Sequence, residues 1–101
     1  MGRELPYVTL AADATCLSPE LEPGDRVLFD PDALAENGTA VVAYLVDDQT
    51  VCVKFYERHG NTVTLHGKDD EVTTPIVKHK DLVQIEGVVV DSVRRFKLRR
   101  R

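Results

Sequence analysis

Two thiols and a neighbouring amine are the groups in this sequence best suited to covalent chemistry: Cys16, Cys52 and Lys54. The thiolate form of cysteine is a nucleophile and a metal ligand. Successive side chains of a β-strand point to opposite faces, so Cys52 and Lys54 are predicted to share one face, and Val53 and Phe55 the other. Two cysteines form at most one disulfide bond, and the core of a 101-residue domain does not depend on one for stability. A redox-sensitive disulfide between them is an alternative that needs specific Cα spacing.

Three histidines, His59, His66 and His79, are the other candidate metal ligands. Their spacing matches no zinc signature, and His59 lies beside the Gly60-Asn61 turn signal. We therefore predict surface histidines, with no metal and no cofactor. The sequence also lacks a phosphate-cradling glycine loop and an aromatic platform for single-stranded nucleic acid, so no small-molecule ligand is predicted.

The elements that must position these groups are short β-rich segments separated by turn signals such as Pro23-Gly24-Asp25 and Asn37-Gly38. This pattern is typical of a sandwich or barrel of antiparallel strands. Helical turns are predicted only over Ser18 to Leu21 and Pro31 to Glu36. The apolar run from Gly87 to Val90 predicts a strand that is buried on both sides or covered by a second subunit. The predicted strands are Tyr7 to Ala11, Arg26 to Phe29, Thr39 to Leu45, Thr50 to Glu57, Thr62 to Leu65 and Gln84 to Val93.

Charge is distributed very unevenly along the chain. Six of the thirteen basic residues lie in residues 94–101, which leaves seven basic against seventeen acidic residues elsewhere, a net charge of −10. Such an acidic body argues against nucleic-acid binding by the domain itself. The basic tail is able to contact DNA or an acidic partner, but a solvated, frayed terminus is the favoured interpretation.

Length and hydropathy bound the remaining possibilities. One compact domain is expected from 101 residues. No apolar run approaches the roughly 20 residues of a membrane span, and the first residues lack the apolar stretch of a secretory signal. We expect a cytoplasmic protein without a membrane partner.

The segment from Cys16 to Pro31 carries the most specific motif, CLSPELEPGDRVLFDP. It resembles the S24 peptidase family, which includes LexA, UmuD-type proteins and self-cleaving phage repressors. That family has a Gly-Asp-Ser-Met box, a proline, a Gly-Asp turn and an apolar strand ending in Asp-Pro. The resemblance extends roughly from Tyr7 to Arg95, because further weak motifs follow in the family's order. They are Asn37-Gly38 before Val41-Val42, Val53-Lys54 before Phe55-Tyr56, Val63-Thr64-Leu65, and Ile85-Glu86-Gly87-Val88-Val89.

The resemblance implies a mainly β, LexA/signal-peptidase-like antiparallel β fold with short helical turns. It also implies a domain over residues 1–95 followed by a basic tail, residues 96–101. The family's nucleophilic serine falls on Cys16 and its general-base lysine on Lys54. All four box positions depart from the family, since Ala14, Thr15, Cys16 and Leu17 replace Gly, Asp, Ser and Met.

Three functions are compatible with that departure. The favoured one is a dimerisation or regulatory domain of the LexA-like or phage-repressor kind, with a degenerate catalytic box. A Cys16–Lys54 peptidase acting in trans is the alternative, because a thiol beside a lysine can lose its proton to give a thiolate. Self-cleavage is disfavoured, since the family cuts Ala-Gly or Cys-Gly bonds and this sequence contains neither. The third is a repressor-binding module that acts through exposed strand edges.

The resemblance also indicates the partners. The family's C-terminal strands contribute to dimer contacts, and Ile85 to Val93 is apolar enough to do the same, so a symmetric homodimer is predicted. DNA is expected to be reached only through an attached or partner helix-turn-helix domain, in transcription regulation of the SOS-response type.

Overall fold

The computed structural model describes residues 5–9, 24–67 and 74–93. Their strands are β1 (Tyr7–Thr9), β2 (Arg26–Asp30), β3 (Thr39–Leu45), β4 (Thr50–His59), β5 (Thr62–His66), β6 (Ile76–His79) and β7 (Val83–Val93). A single 3₁₀ turn, Lys80–Leu82, connects β6 to β7. The strands form one seven-stranded sheet in the order β1-β2-β7-β3-β4-β5-β6, and every neighbouring pair is antiparallel. The predicted mainly β, antiparallel fold is confirmed.

Two local features differ from the sequence prediction. Strand β6 and the 3₁₀ turn after it were not predicted, because four residues with the pattern Ile-Val-Lys-His carry too little periodicity. The helical turn predicted over Pro31 to Glu36 is reduced to a single hydrogen-bonded turn at its start, where the Ala33 amide donates to the Asp30 carbonyl at 3.4 Å. The Asp30 carboxylate also accepts a hydrogen bond from the Asp32 amide at 2.9 Å, and residues 34–36 are not helical. The other predicted helical turn, Ser18 to Leu21, lies outside the described residues.

The sheet buries apolar side chains on both faces. One face carries the smaller cluster, Val27, Phe29, Val42 and Val53. The other face carries the larger cluster, Val41, Ala43, Leu45, Tyr56, Val63 and Leu65. Alternation along each strand separates the two sets, as the register pairs Val42 with Val53 and Val41 with Lys54. The predicted double burial of the Gly87 to Val90 run is confirmed for Val88 and Val89, which pack against opposite clusters, whereas Val90 is 51% exposed.

The sheet curls so that its β6 edge approaches the hairpin between β3 and β4. The Lys78 ammonium donates to the Asp47 carboxylate at 2.8 Å and lies 3.6 Å from Asp48. The Val46 amide donates to the Leu82 carbonyl at 2.9 Å, which attaches the same hairpin to the 3₁₀ turn. These contacts close the larger apolar cluster at one end.

The Lys78–Asp47 ion pair predicts a defined pH window of stabilisation. Hydrogen bonding to Lys78 lowers the pKa of Asp47 below its ordinary 3.8, so the stabilisation is present above that pH and is lost as pH falls through the lowered pKa. The same bond raises the pKa of Lys78 above 10.5, so the stabilisation is complete below that pH and is lost as pH rises through the raised pKa. Lys78→Met should lower the urea midpoint at neutral pH, and the difference from the unaltered chain should shrink in strong acid.

The matched control is Lys80→Met, since among the described residues the Lys80 side chain pairs with the adjacent Asp81, and its backbone bond to Asn61 is kept in methionine. It should move the midpoint less than Lys78→Met does. A Lys78→Met midpoint equal to that of the unaltered chain at neutral pH and low salt would contradict the role of this pair.

Asn37 extends the β3–β4 ladder with its side chain. The register that pairs Thr39 with Tyr56 places Asn37 opposite Arg58. The Asn37 Oδ1 accepts from the Arg58 amide at 2.8 Å, and its Nδ2 donates to the Arg58 carbonyl at 3.4 Å. The side-chain amide thereby replaces a peptide group where the backbone turns at Gly38, whose φ is +90°.

Replacing Asn37 with alanine should lower the free energy of unfolding by about 1 kcal/mol, the usual net value of such hydrogen bonding. Asn37→Asp keeps the acceptor and loses the donor, so its free energy of unfolding should lie between those of the unaltered chain and Asn37→Ala. Asn61→Ala is the control, because Asn61 accepts from Lys80 through its backbone carbonyl, which alanine retains. Urea unfolding measures all three, and equal effects of Asn37→Ala and Asn61→Ala would contradict the ladder extension.

Candidate functional site

Lys54 lies in the middle of β4, on the sheet face that carries the larger apolar cluster. It is half-buried and stands directly opposite Val41, which is fully buried. Its neighbours on the same face are Cys52 and Tyr56, and both belong to or pack against that cluster. The predicted common face of Cys52 and Lys54 is therefore confirmed, and the lysine stem has apolar surroundings.

Cys52 completes this face on the side of the β3–β4 hairpin. It is paired with the buried Ala43 and is itself half-buried. Cys16, the thiol predicted to lie beside Lys54, is outside the described residues, as are Ala14, Thr15 and Leu17. The structure therefore describes the lysine side of the predicted dyad, and the thiol side remains a prediction.

The topology sets a reach condition for bringing Cys16 to Lys54. The connection that contains Cys16 starts at Thr9 and returns at Arg26, and these two residues are paired. On a flat sheet, β1 and β4 are four strand spacings of about 4.8 Å apart, and Thr9 is displaced from Lys54 along the strands by four residues of about 3.3 Å. The two displacements together put Thr9 roughly 23 Å from Lys54. Cys16 is seven residue steps after Thr9, which span up to about 23 Å, and the long lysine side chain adds to that reach. The condition is met.

A cross-strand row leads from Lys54 to the strand that follows this connection. Each member is directly opposite the next on the same face, in the order Lys54, Val41, Val88, Asp30. Sequence reasoning did not place Asp30 in this row, because two bulges in β7 shift the register between its neighbours. Just before β2, Asp25 is only 2% exposed, so the Gly-Asp turn holds a buried carboxylate that the motif did not reveal.

The three histidines do not form a metal centre in the described part of the chain, where no group of three or more His, Cys, Asp or Glu side chains could hold an ion. His59 and His79 are exposed, as predicted. His66 departs from the prediction, because its side chain is only 26% exposed. Its ring packs 5.9 Å from that of Phe55, its Nδ1 lies 3.1 Å from the Gly67 carbonyl, and Glu57 lies 3.8 Å from its Nε2.

Comparison with known proteins decides the family. The Peptidase S24-like family matches residues 6–90, which include the Gly-Asp turn, Lys54 and most of β7. The chain belongs to this family. The S24-like match covers all the described strands except the last residues of β7, so the antiparallel sheet above is the S24-like fold of this chain.

Several LexA repressors are similar to this S24-like chain. Those of Gluconacetobacter diazotrophicus and Granulibacter bethesdensis are 32% and 31% identical to it over 96 residues, 95% of this chain. That of Actinobacillus pleuropneumoniae serotype 5b is 38% identical over 72 residues, 70% of this chain. The aligned part is 37%, 39% and 33% of these relatives, respectively, so the chain corresponds to less than two fifths of each. Among the described residues there is no helix whose length and hydropathy suit a bilayer crossing.

Proposed function

We propose that this chain is a LexA-like regulatory domain that self-associates and whose catalytic box is degenerate. The observation that carries the proposal is a contrast within the sequence. Similarity to LexA repressors extends over 95% of the chain, while residues 14–17 depart from the Gly-Asp-Ser-Met box at every position. The sequence features of the fold are thus present, whereas those of the catalytic box are not. The proposal takes residues 1–95 as the domain and residues 96–101 as its tail.

The proposed degenerate site consists of Cys16 and Lys54. Half-burial beside Val41 and Tyr56 suits a lysine whose long stem packs against apolar side chains and whose amine reaches the solvent. Cys16 then acts as a small apolar side chain in the position of the family's serine, the usual behaviour of cysteine in folded proteins. The domain therefore cleaves no peptide bond and serves transcription regulation by association.

The proposed dimer uses the second half of β7. Val88 pairs with both neighbouring strands, the residues before it pair with β3, and the residues after it pair with β2. In the described part of the chain, no strand pairs with the β3-side edge of residues 89–93. Val90 bulges out of the register beside that edge and is 51% exposed. An open half-edge with an exposed valine fits a self-complementary contact about a two-fold axis.

Sedimentation equilibrium of the 101-residue chain at tens of micromolar tests self-association. We expect a species of twice the 11.3 kDa monomer mass, and a dissociation constant in the micromolar range or tighter. A single monomeric species at that concentration would remove the regulatory dimer from the proposal. DNA is then reached through a helix-turn-helix domain attached to this chain or to its partner.

A Cys16–Lys54 peptidase acting in trans is the second candidate. It is favoured by the reach of the Thr9–Arg26 connection, which is long enough to bring the thiol beside the lysine. A thiol in that position would transfer its proton to the amine and attack the carbonyl carbon of a peptide bond as the thiolate. The C–N bond then breaks, the lysine returns the proton to the leaving amine, and water hydrolyses the resulting thioester. Reactivity of Cys16 that depends on Lys54 distinguishes this candidate from the degenerate site.

A further inference from the structure

The pair Asn37-Gly38 has a composition prone to spontaneous chemical change. Asparagine is thermolabile, because the backbone amide nitrogen that follows it can attack its side-chain carbonyl carbon. The chain holds two asparagines, Asn37 before Gly38 and Asn61 before Thr62. A threonine side chain crowds the attacking nitrogen, whereas glycine has no side chain. Where a Cβ of Gly38 would lie, no described atom beyond the adjacent residues is within 4 Å. Steric crowding therefore restrains Asn61 and not Asn37.

Hydrogen bonds hold both reacting groups of this pair on β4. The Gly38 amide, which would be the nucleophile, donates to the Tyr56 carbonyl at 2.8 Å. The Asn37 Oδ1 accepts from the Arg58 amide at 2.8 Å, and its Nδ2 donates to the Arg58 carbonyl at 3.4 Å. Attack of the nitrogen on the Asn37 Cγ requires these bonds to break, so the folded ladder opposes the reaction.

The protecting bonds lie at the end of the β3–β4 ladder. The regular pairing starts at Thr39, opposite Tyr56, and the Thr39 amide donates to the Glu36 carbonyl at 3.0 Å to close the turn before it. Residues 36–38 and Arg58 are exposed. Exposed hydrogen bonds at the end of an element open at a smaller free-energy cost than the core. This end of the ladder is therefore expected to open while the rest of the sheet stays folded.

We propose that Asn37 is a latent modification site, which the folded ladder protects and which reacts when this end of the ladder opens. The Gly38 nitrogen forms a bond to the Asn37 Cγ, and the Nδ2 group leaves as ammonia with the proton of the Gly38 amide. Water then adds to one carbonyl of the resulting succinimide ring and breaks a ring C–N bond. The product is aspartate or isoaspartate at position 37. This modification goes beyond the proposed function and does not rest on it.

Both products weaken the ladder end that protected the asparagine. Aspartate keeps the acceptor for the Arg58 amide, but it places a carboxylate oxygen where Nδ2 donated to the Arg58 carbonyl. Isoaspartate also adds a methylene to the main chain before Gly38. The Gly38 amide and Thr39 then cannot both keep Tyr56 as their partner. Because the loss of ammonia is not reversed, each opened molecule that reacts stays altered.

The test follows the full 101-residue chain in mildly alkaline buffer, with tryptic digestion and mass spectrometry of samples over time. Asn37 lies in the tryptic peptide 27–54 and Asn61 in the peptide 59–68, which is the internal control. A synthetic peptide of residues 33–42 gives the unprotected rate. We expect Asn37 of the folded chain to react about 100-fold more slowly than the synthetic peptide, which corresponds to about 2.7 kcal/mol of opening free energy. In urea above the unfolding midpoint, the two rates should agree.

Two variants separate the chemistry from the opening. Gly38→Ala should react much more slowly than the unaltered chain in urea, where both are unfolded, because its Cβ crowds the amide nitrogen. Lys78→Met removes the ion pair with Asp47 at the other end of β3 and β4. It should leave the rate at Asn37 of the folded chain unchanged, because the opening is local.

Three results would overturn the proposal. The first is an equal rate at Asn37 in the folded chain and in the synthetic peptide, which would show that the ladder gives no protection. The second is reaction of Asn61 as fast as Asn37 in urea. The third is a rate in Lys78→Met that rises in proportion to its loss of unfolding free energy, which would assign the reaction to the globally unfolded chain.

Discussion

Gly87→Ala is expected to destabilise the domain by about 3 kcal/mol, the upper part of the range for overpacking a filled interior. A Cβ at this position would lie 2.5 Å from the Phe29 ring, 2.7 Å from the Asp30 carbonyl oxygen and 2.9 Å from the Asp30 carbonyl carbon. The ring can move, but the backbone of β2 is held by its pairing with β7. The glycine is therefore required for the close approach of these two strands.

Urea unfolding measures this effect, and Val90→Ala is the control on the same strand. Val90 is half-exposed, so its truncation should change the free energy of unfolding by less than about 1 kcal/mol in the monomer. Adding Phe29→Leu to Gly87→Ala relieves the contact with the ring but not that with the Asp30 backbone, so it should rescue little. A Gly87→Ala midpoint within error of the unaltered chain would show that β2 and β7 do not approach as closely as described.

Val90→Glu should weaken the proposed dimer about 100-fold, which corresponds to about 2.7 kcal/mol of association free energy. In a symmetric contact, residue 90 of one copy lies near residue 90 of the other, so two carboxylates would be brought together and desolvated. The matched control is Val77→Glu, because Val77 is also a well-exposed valine, 62%, but lies on β6 at the far edge of the sheet.

Sedimentation equilibrium of both variants gives the comparison. We expect Val77→Glu to associate like the unaltered chain and Val90→Glu to reach the same dimer fraction only at about 100-fold higher concentration. If Val77→Glu dissociates the dimer and Val90→Glu does not, the contact is at the β6 edge, and the assignment to β7 is wrong.

Strand positions followed from the sequence wherever alternation and turn chemistry agreed. β3 was predicted at its observed bounds, and β2, β4, β5 and β7 within two residues, since each is bounded by a turn signal or buried on an alternating set. β6 escaped prediction because Lys78 occupies an inward position, which its ion pair with Asp47 makes possible. Such a contact between residues 31 positions apart has no local pattern.

The candidate site was predictable in part for the same reason. The common face of Cys52 and Lys54 follows from the two-residue period of a strand. The cross-strand row that starts at Lys54 depends on strand register. The bulges of β7 that align Asp30, Val88 and Val41 cannot be recognised from the amino-acid composition. The burial of His66 was likewise missed, because its contact with Phe55 comes from strand pairing.

We propose that the S24-like, LexA-like fold of this chain is present without an activated nucleophile at residue 16. The most direct measurement is the rate at which iodoacetamide alkylates Cys16 at about pH 7, mapped by mass spectrometry, in the unaltered chain, Lys54→Met and the control Lys80→Met. We expect slow alkylation at the same rate in all three, because an unactivated thiol is mostly protonated at that pH. Rapid alkylation that Lys54→Met abolishes and Lys80→Met preserves would contradict it and establish a working Cys16–Lys54 pair.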